Sequence, residues 1–236
     1  MLTRRAEQGD LSAVFQLFCA TFPDGGSGFN RTYFNNVWKP ENTLLIFDGD
    51  IAAMLQHWTV GSRQGKCSYV YGVATRPEYR GRGLASKLLE QVPLPHVLIC
   101  ESADVFSFYK KLGYDESFFV KKCSAPRDET ADIRPLRDED IPRVLEIYRA
   151  GGHFLHREEK LLRQMLEFYP GQAIWDGGEL TAYKIGPLEA LGERPERFGG
   201  SFLCPVNSPC PGEIMPFGCS KGLELAAPEY INLLFN

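Results

Sequence analysis

Residues 71–90 read Tyr-Gly-Val-Ala-Thr-Arg-Pro-Glu-Tyr-Arg-Gly-Arg-Gly-Leu-Ala-Ser-Lys-Leu-Leu-Glu. The segment begins inside an apolar, β-branched and aromatic run that covers residues 68–75, and it turns at residues 76–79. Leu84, Leu88 and Leu89 then recur at a spacing that places them on one helical face. The pattern therefore predicts a strand, a glycine-rich loop and a helix, in that order.

The loop between this strand and this helix has the composition of an anion site. Gly81 and Gly83 allow the backbone to turn without a Cβ in the way, so the amides of residues 81–85 can point together into open space. Unpaired N–H groups at a helix start, with the positive end of the helix dipole behind them, favour a phosphate or diphosphate. Arg80 and Arg82 add two positive charges to the same loop.

Two motifs carry a resemblance to a known family. Arg80-Gly81-Arg82-Gly83-Leu84-Ala85 fits the pattern Arg/Gln-x-x-Gly-x-Gly/Ala, and Phe108-Tyr109-Lys110-Lys111-Leu112-Gly113-Tyr114 fits Phe-Tyr-x-Lys-x-Gly-Phe/Tyr. In this order and at this spacing they resemble the GNAT superfamily, the Gcn5-related N-acetyltransferases. The resemblance implies an α/β (α+β) fold in which helices flank a mixed, mostly antiparallel central sheet.

The resemblance also implies a reaction and a set of site residues. A GNAT enzyme transfers an acetyl group from acetyl-CoA to a primary amine by direct attack in a ternary complex. The implied catalytic groups are Tyr109 as general acid and the Val73 N–H as donor to the thioester carbonyl. The residues expected to bind acetyl-CoA are Val73, Thr75, Arg80, Gly81, Arg82, Gly83, Leu84, Ala85 and Ser102. Ser102 stands where many family members have a pantetheine-binding asparagine.

The general base is the least constrained role. Glu101 ends the strand that precedes the second motif and can accept a proton from the amine, directly or through water. A helix cap or an ion pair is the structural alternative for this carboxylate. His57, in an apolar strand, is expected to be a hydrogen-bonded core histidine, and His153 and His156 lack visible partner ligands for a metal. Tyr109 has its own alternative as a core aromatic residue.

Composition limits the class of protein. The chain has 236 residues, 44% of them hydrophobic, and no apolar run approaches the roughly 20 residues that span a bilayer. We therefore expect a soluble, cytoplasmic protein without membrane contact. The seven cysteines are scattered without a Cys-x-x-Cys pair, which favours reduced thiols and no metal site.

The distribution of charge separates the two halves of the chain. Residues 1–125 carry 14 basic and 12 acidic side chains, a balance of +2, and residues 126–236 carry 12 and 18, a balance of −6. An acidic half favours a cationic acceptor, although a solvated acidic face is the simpler explanation. Without a basic stripe, binding of nucleic acid is not expected.

The chain begins again after a polar linker at residues 124–130. Arg134, Asp140 and Ile141 repeat Arg4, Asp10 and Leu11 at one constant offset, and a later hairpin repeats with one insertion. We therefore predict a duplicated architecture, with a GNAT domain at residues 1–124 and a degenerate GNAT-like half at residues 131–236. The second half lacks a matching glycine-rich loop, since Phe202 stands where glycine or alanine is needed.

Two other functions remain open. Gly81-x-Gly83-x-x-Ser86 nearly matches a dinucleotide-binding fingerprint, but the segment from Arg76 to Arg80 separates the strand from the first glycine. A non-catalytic acyl-CoA-binding regulatory module is the main alternative to an enzyme. The expected partner is a small-molecule or peptide amine. Its identity and the length of the acyl chain are open. The chain is expected to be a monomer or homodimer.

Overall fold

The computed structural model describes residues 1–100, 102–225 and 229–231. It divides into two compact units. The first comprises residues 1–60, 66–98 and 221–223, and the second comprises residues 61–65, 99–220 and the described residues from 224 onwards. None of the helices in these ranges has the length and hydrophobicity needed to cross a membrane.

The first unit contains five strands and three helices among its described residues. The strands are β1 (Leu2–Arg5), β2 (Thr43–Phe47), β3 (Ile51–Ser62), β4 (Gly65–Thr75) and β5 (His96–Ile99), the last residues of β3, the first of β4 and Ile99 falling in the second unit. The helices are α1 (Leu11–Thr21), α2 (Phe29–Asn36) and α3 (Leu84–Leu89). The strands lie in the order β1-β2-β3-β4-β5. β2 is antiparallel to β1 and β3, whereas β5 is parallel to β4.

The second unit is built on two further groups of strands. Its helices are α4 (Ala103–Lys111), α5 (Ile141–Ala150) and α6 (Glu159–Phe168). Its strands are β6 (Asp115–Ala125), β7 (Asp132–Pro135), β8 (Gly171–Asp176), β9 (Glu179–Ile185), β10 (Glu189–Gly192), β11 (Gly200–Cys204) and β12 (Gly212–Lys221). β6 lies between β12 and β11, antiparallel to both, and β10-β9-β8-β7 form a four-stranded antiparallel sheet. The predicted mixed, mostly antiparallel fold with flanking helices is confirmed.

The repeat in the sequence has a counterpart in the order of elements. β1, α1 and α2 begin at residues 2, 11 and 29, and β7, α5 and α6 begin at residues 132, 141 and 159, so all three pairs keep the same offset. The Asp10 carboxylate accepts the Glu7 N–H at 2.7 Å, and the Asp140 carboxylate accepts the Arg137 N–H at 2.8 Å. Both aspartates thus close the turn before their helix, since neither makes a side-chain cap to the helix itself.

The compact units do not coincide with the predicted domains 1–124 and 131–236. β6 lies before the predicted boundary, but it belongs to the second unit because it pairs along its length with β11 and β12. The domain assignment stays a prediction. The segment predicted to end the chain as a strand, residues 226–236, lies largely outside the described residues; Glu229 forms a parallel bridge with Phe118.

The core of the second unit includes most of the buried cysteines. All seven cysteines of the chain carry free thiols. Cys123, Cys204 and Cys210 pack with the aromatic rings of Phe198 and Phe202 and with aliphatic residues of β8, β9 and β10. Within the described ranges, no cluster of three or more His, Cys, Asp or Glu side chains is arranged to hold a metal ion.

Candidate active site

The loop between β4 and α3 has the predicted conformation. A 3-10 turn at Pro77–Tyr79 follows β4, and Gly81 and Gly83 then adopt φ values of +75° and +70°. A Cβ added at either glycine would meet no atom within 4 Å. The left-handed backbone, not crowding, therefore requires glycine here, and both positions face open space.

Six consecutive amides of this loop have no acceptor within the described part of the chain. The Arg80 N–H donates to the Pro77 carbonyl, and the Lys87 N–H donates to the Gly83 carbonyl. Between them, the N–H groups of residues 81–86 donate to no described residue. Because α3 has only six residues, its dipole is small, so the predicted anion site depends on these six N–H groups more than on the dipole.

Two guanidinium groups flank the unpartnered amides. Arg80 Nε donates to the Thr75 carbonyl at 3.2 Å, and Arg82 Nη2 donates to the Glu78 carbonyl at 3.0 Å. The Arg82 guanidinium also lies 4.9 Å from the centre of the Tyr79 ring. Neither arginine forms an ion pair with a carboxylate of the described residues. The loop thus holds two positioned positive charges that no described acid compensates.

The backbone of β4 presents hydrogen-bonding groups on the side of β5. The register between the two strands consists of Ser68 with His96 and Tyr69 with Val97. The Arg76 N–H donates to the Ala52 carbonyl of β3, so the alternate residues Val73 and Thr75 direct their backbone groups to the opposite side of β4. This is the arrangement in which an added extended chain can pair with a strand.

Gly72 is an irregular residue within β4. Its φ is +59°, and a Cβ there would lie 2.9 Å from Cε2 of Phe18 and 3.3 Å from Nε2 of Gln56. It is therefore a left-handed residue closely approached by side chains, the nearest being the ring of Phe18 on α1.

Tyr109 and Ser102 belong to the second unit. The Tyr109 side chain is 6% exposed on α4, and burial, followed by the neighbouring Cys100 and Tyr114, raises the pKa of its phenol well above the ordinary value. Ser102 is exposed and caps α4, since its hydroxyl accepts the Val105 N–H at 3.4 Å. Glu101, the predicted base, lies outside the described residues.

The sequence predicts His57 to be a hydrogen-bonded core residue, and it gives His153 and His156 an i, i+3 spacing suited to a metal but without visible partner ligands. His57 is buried as predicted, but neither ring nitrogen has a hydrogen-bond partner among the residues described, so the expected hydrogen-bonded core histidine is wrong in this respect. Burial, followed by the charges of Arg5 and His96, lowers the pKa of His57. His153 is buried whereas His156 is exposed, so their i, i+3 spacing does not form a shared site.

Two neighbours of Tyr109 were missed in the sequence. The Sγ atoms of Cys100 and Cys219 lie 3.4 Å apart, and both thiols contribute to the raised pKa of Tyr109. The two cysteines are far apart in the chain, so no local pattern indicates that they meet. The only available signal was the position of Cys100 directly before the predicted Glu101–Ser102 segment.

The family model of the acetyltransferase (GNAT) domain matches residues 3–116, just under half of the chain. The match identifies residues 3–116 as resembling a GNAT acetyltransferase domain, and the fold of the described residues agrees with it. The matched range contains the glycine-rich loop, β4 and Tyr109.

Comparison with solved structures extends the likeness of fold over most of the chain. A GCN5-related N-acetyltransferase from Anabaena variabilis superposes with a TM-score of 0.64 at 15% identity, covering 93% of this chain and 72% of that one. The N-myristoyltransferase of Saccharomyces cerevisiae with bound myristoyl-CoA has a TM-score of 0.54 at 12% identity, covering 77% and 58%.

A curated sequence relative is much longer than this chain. The DNA polymerase II large subunit of Methanococcus maripaludis is 25% identical over 127 residues, which are 52% of this chain. The chain spans about a tenth of the length of that relative.

Proposed function

We propose that the chain is an N-acetyltransferase that uses acetyl-CoA as co-substrate and a small-molecule or peptide primary amine as acceptor. The GNAT domain and the fold support acyl transfer in general. The observation that carries the proposal is the set of six N–H groups at residues 81–86, which no described residue accepts, flanked by the uncompensated charges of Arg80 and Arg82. A diphosphate supplies acceptor oxygens and negative charge in one group.

The part of β4 that does not pair with β5 supports a role in holding the acyl arm. The backbone groups of Val73 and Thr75 face the side on which β5 pairs only with Ser68 and Tyr69, although the Thr75 carbonyl also accepts a hydrogen bond from Arg80 Nε. The amides of a pantetheine chain can pair with such an edge as an added strand does. In this role the Val73 N–H donates to the thioester carbonyl oxygen and stabilises the negative charge that develops on it.

The reaction then needs two proton transfers. A neutral amine attacks the thioester carbonyl carbon, a C–N bond forms, and the C–S bond breaks to release a thiolate. We assign the proton for this thiolate to Tyr109, because a phenol with its ordinary pKa of about 10 is protonated at neutral pH and can donate to a departing thiolate. Glu101 stays the hypothesis for the group that receives the proton of the amine.

We also propose that the C-terminal half is a degenerate second GNAT-like half. The constant offset between β1, α1, α2 and β7, α5, α6 supports this origin. The segment that stands in place of the glycine-rich loop packs against the rest of the chain. A Cβ at Gly199 would lie 2.6 Å from the backbone of Arg127. The alternative function, a non-catalytic acyl-CoA-binding module, is favoured by no specific contact.

Thiol release tests the proposal. Purified protein is supplied with acetyl-CoA and a pool of amines that contains amino acids, polyamines and short peptides, and free CoA is measured against a blank without amines. We expect amine-dependent release and a decrease in kcat of roughly 10²-fold or more for Tyr109→Phe.

Tyr114→Phe is the matched control, because Tyr114 is also buried and its ring centre lies 5.1 Å from that of Tyr109. The control should keep kcat within about threefold, on the scale of ordinary surface and packing changes. CoA binding without amine-dependent thiol release from any acceptor would favour the regulatory module instead. Equal kcat values for wild type and Tyr109→Phe would remove the general-acid assignment.

A further inference from the structure

The second unit contains a pocket of about 390 Å³ that the proposed acyl transfer does not use. It lies among α5, β9, β10 and the loop that follows β11. Its volume is within the range typical of small-molecule sites, roughly 300–1,000 Å³. The pocket is formed wholly by residues of one unit, so it exists independently of the glycine-rich loop.

His153 gives this pocket a buried polar group. Its side chain is 8% exposed and its ring is packed between Tyr148 and Tyr230, with centroid distances of 4.7 Å and 4.8 Å. No hydrogen bond joins a ring nitrogen of His153 to another described residue, and neither nitrogen is among the fully enclosed polar atoms without a partner. The imidazole lines the pocket, so a ligand in the pocket can reach its nitrogens in place of water.

The imidazole is neutral at physiological pH. Burial, and to a smaller extent the charges of Arg157 and Arg63, lower the pKa of His153 to about 4, although Glu189 opposes the shift. A neutral imidazole carries one donor and one acceptor nitrogen. The acceptor nitrogen can therefore receive a hydrogen bond from a ligand N–H group.

The charged groups of the pocket leave one carboxylate uncompensated. Arg143 Nη1 pairs with Glu146 at 2.9 Å, and Arg143 Nε donates to the Leu180 carbonyl at 3.1 Å. Glu193 also lines the pocket and is exposed, and no described cation lies within ion-pair distance of it. The pocket therefore has a net negative charge, located at Glu193.

The remaining walls combine apolar and polar side chains. The apolar ones are Ile147, Ala150, Leu191, Pro195, Pro205 and Pro209, and the polar ones are Thr181, Asn207 and Ser208. Aliphatic and proline side chains favour a hydrocarbon body, whereas a carboxylate and a neutral imidazole acceptor favour an N–H-rich cation. We propose that this pocket binds a primary ammonium ion with a compact aliphatic body, whose charge pairs with Glu193 and whose N–H group donates to His153.

The experiment compares three probes of one shape. Cyclohexylamine, which is an ammonium ion at pH 7 because alkylamines titrate near ~10, is titrated calorimetrically into the full chain, alongside cyclohexanol and cyclohexanecarboxylate. We expect saturable binding of the ammonium probe, with a preference of about fivefold or more over the alcohol. One partly solvated charge contact at 4 Å contributes about 1 kcal/mol, which corresponds to this ratio.

Three variants locate the site. Glu193→Gln should weaken cyclohexylammonium binding by about fivefold, the ratio expected for one such contact. Ala150→Trp, at the exposed end of α5, should abolish binding by filling the pocket. Glu179→Gln, an exposed carboxylate outside the pocket, is the matched control and should bind as the wild type does.

A second readout does not depend on the variants. In spectra of protein labelled at its four histidines, the ammonium probe should shift the ring signals of His153. The proposal is overturned by absence of saturable binding up to about 10 mM, a free energy of only a few kcal/mol. Equal binding of all three probes, unchanged affinity in Glu193→Gln, or shifts confined to the other histidines would overturn it as well.

Discussion

Replacement of Glu189 by glutamine should destabilise the second unit strongly. The Glu189 carboxylate is 0% exposed and receives hydrogen bonds from four donors. Both Nη1 and Nη2 of Arg157 donate to the carboxylate, Nη2 at 3.1 Å. The hydroxyls of Tyr183 and Tyr230 donate to it at 2.8 Å and 3.1 Å. The Arg157 side chain is itself only 2% exposed, so its charge has no access to water once the carboxylate is lost.

The expected cost follows from the uncompensated charge. Removal of one partner of a buried ion pair typically costs about 3–5 kcal/mol, because the remaining charge stays desolvated. The new amide also turns two donors toward hydroxyl groups that were donating to an acid. Against a total stability of roughly 5–15 kcal/mol for a domain, we expect Glu189→Gln to lose about a third or more of the free energy of unfolding.

Urea unfolding followed by far-ultraviolet circular dichroism measures this change. Glu179→Gln makes the same chemical substitution at an exposed position of β9 and should change the stability by less than about 0.5 kcal/mol. A loss below about 1 kcal/mol for Glu189→Gln would show that Glu189 and Arg157 do not form a buried, charged ion pair.

Three further perturbations have defined outcomes. Gly72→Ala should cost about 2–5 kcal/mol in thermal unfolding, because it combines a left-handed φ with a Cβ at 2.9 Å from an aromatic ring of α1. Gly49→Ala, at φ +83° in open space, should cost only the backbone contribution of about 1–2 kcal/mol, and equal losses would remove the packing argument. The pKa of His153 is lowered to about 4 in the folded state, from about 6.5 in the unfolded chain. Between pH 4 and pH 6.5 the unfolded chain therefore binds more protons than the folded chain. Stability should therefore fall by up to about 3 kcal/mol as the pH drops from 6.5 to 4, and His153→Phe should flatten this slope; an equally steep slope in the variant would contradict the assignment. Arg82→Gln should weaken CoA binding about fivefold and reduce its dependence on salt, whereas the exposed Lys66→Gln should do neither, and a loss shared by both would indicate only a general effect of charge.

The strand, loop and helix at residues 71–90 could be predicted because their signals are local. β-branched and aromatic residues form β4, leucines at helical spacing form α3, and Gly81 and Gly83 occupy the left-handed positions between them. The sequence did not show how short α3 is. Its leucines indicate a helical face but not the residue at which the helix ends. The repeat could be predicted for a similar reason, because short matching segments are enough to show a constant offset between two parts of the chain.

Long-range contacts could not be predicted in the same way. The buried network joins Tyr183 and Glu189, which are six residues apart, to Arg157 and Tyr230, which lie more than 25 residues from both. The four residues share no motif. The role of His153 depends on the rings on either side of it, and its spacing from His156 indicated no more than a metal site without visible partner ligands. Nothing in the local sequence indicated that His57 would be buried without a hydrogen bond to a described residue.

The amide signals of residues 81–86 test the central claim most directly. In proton–nitrogen correlation spectra of the labelled protein, CoA should shift these six amides, and pantetheine, which lacks the diphosphate, should leave them in place. Hydrogen bonds from the N–H groups to phosphate oxygens are the expected cause of the shift. Binding of CoA that leaves the six amides unchanged, or no binding of CoA at all, would contradict the account.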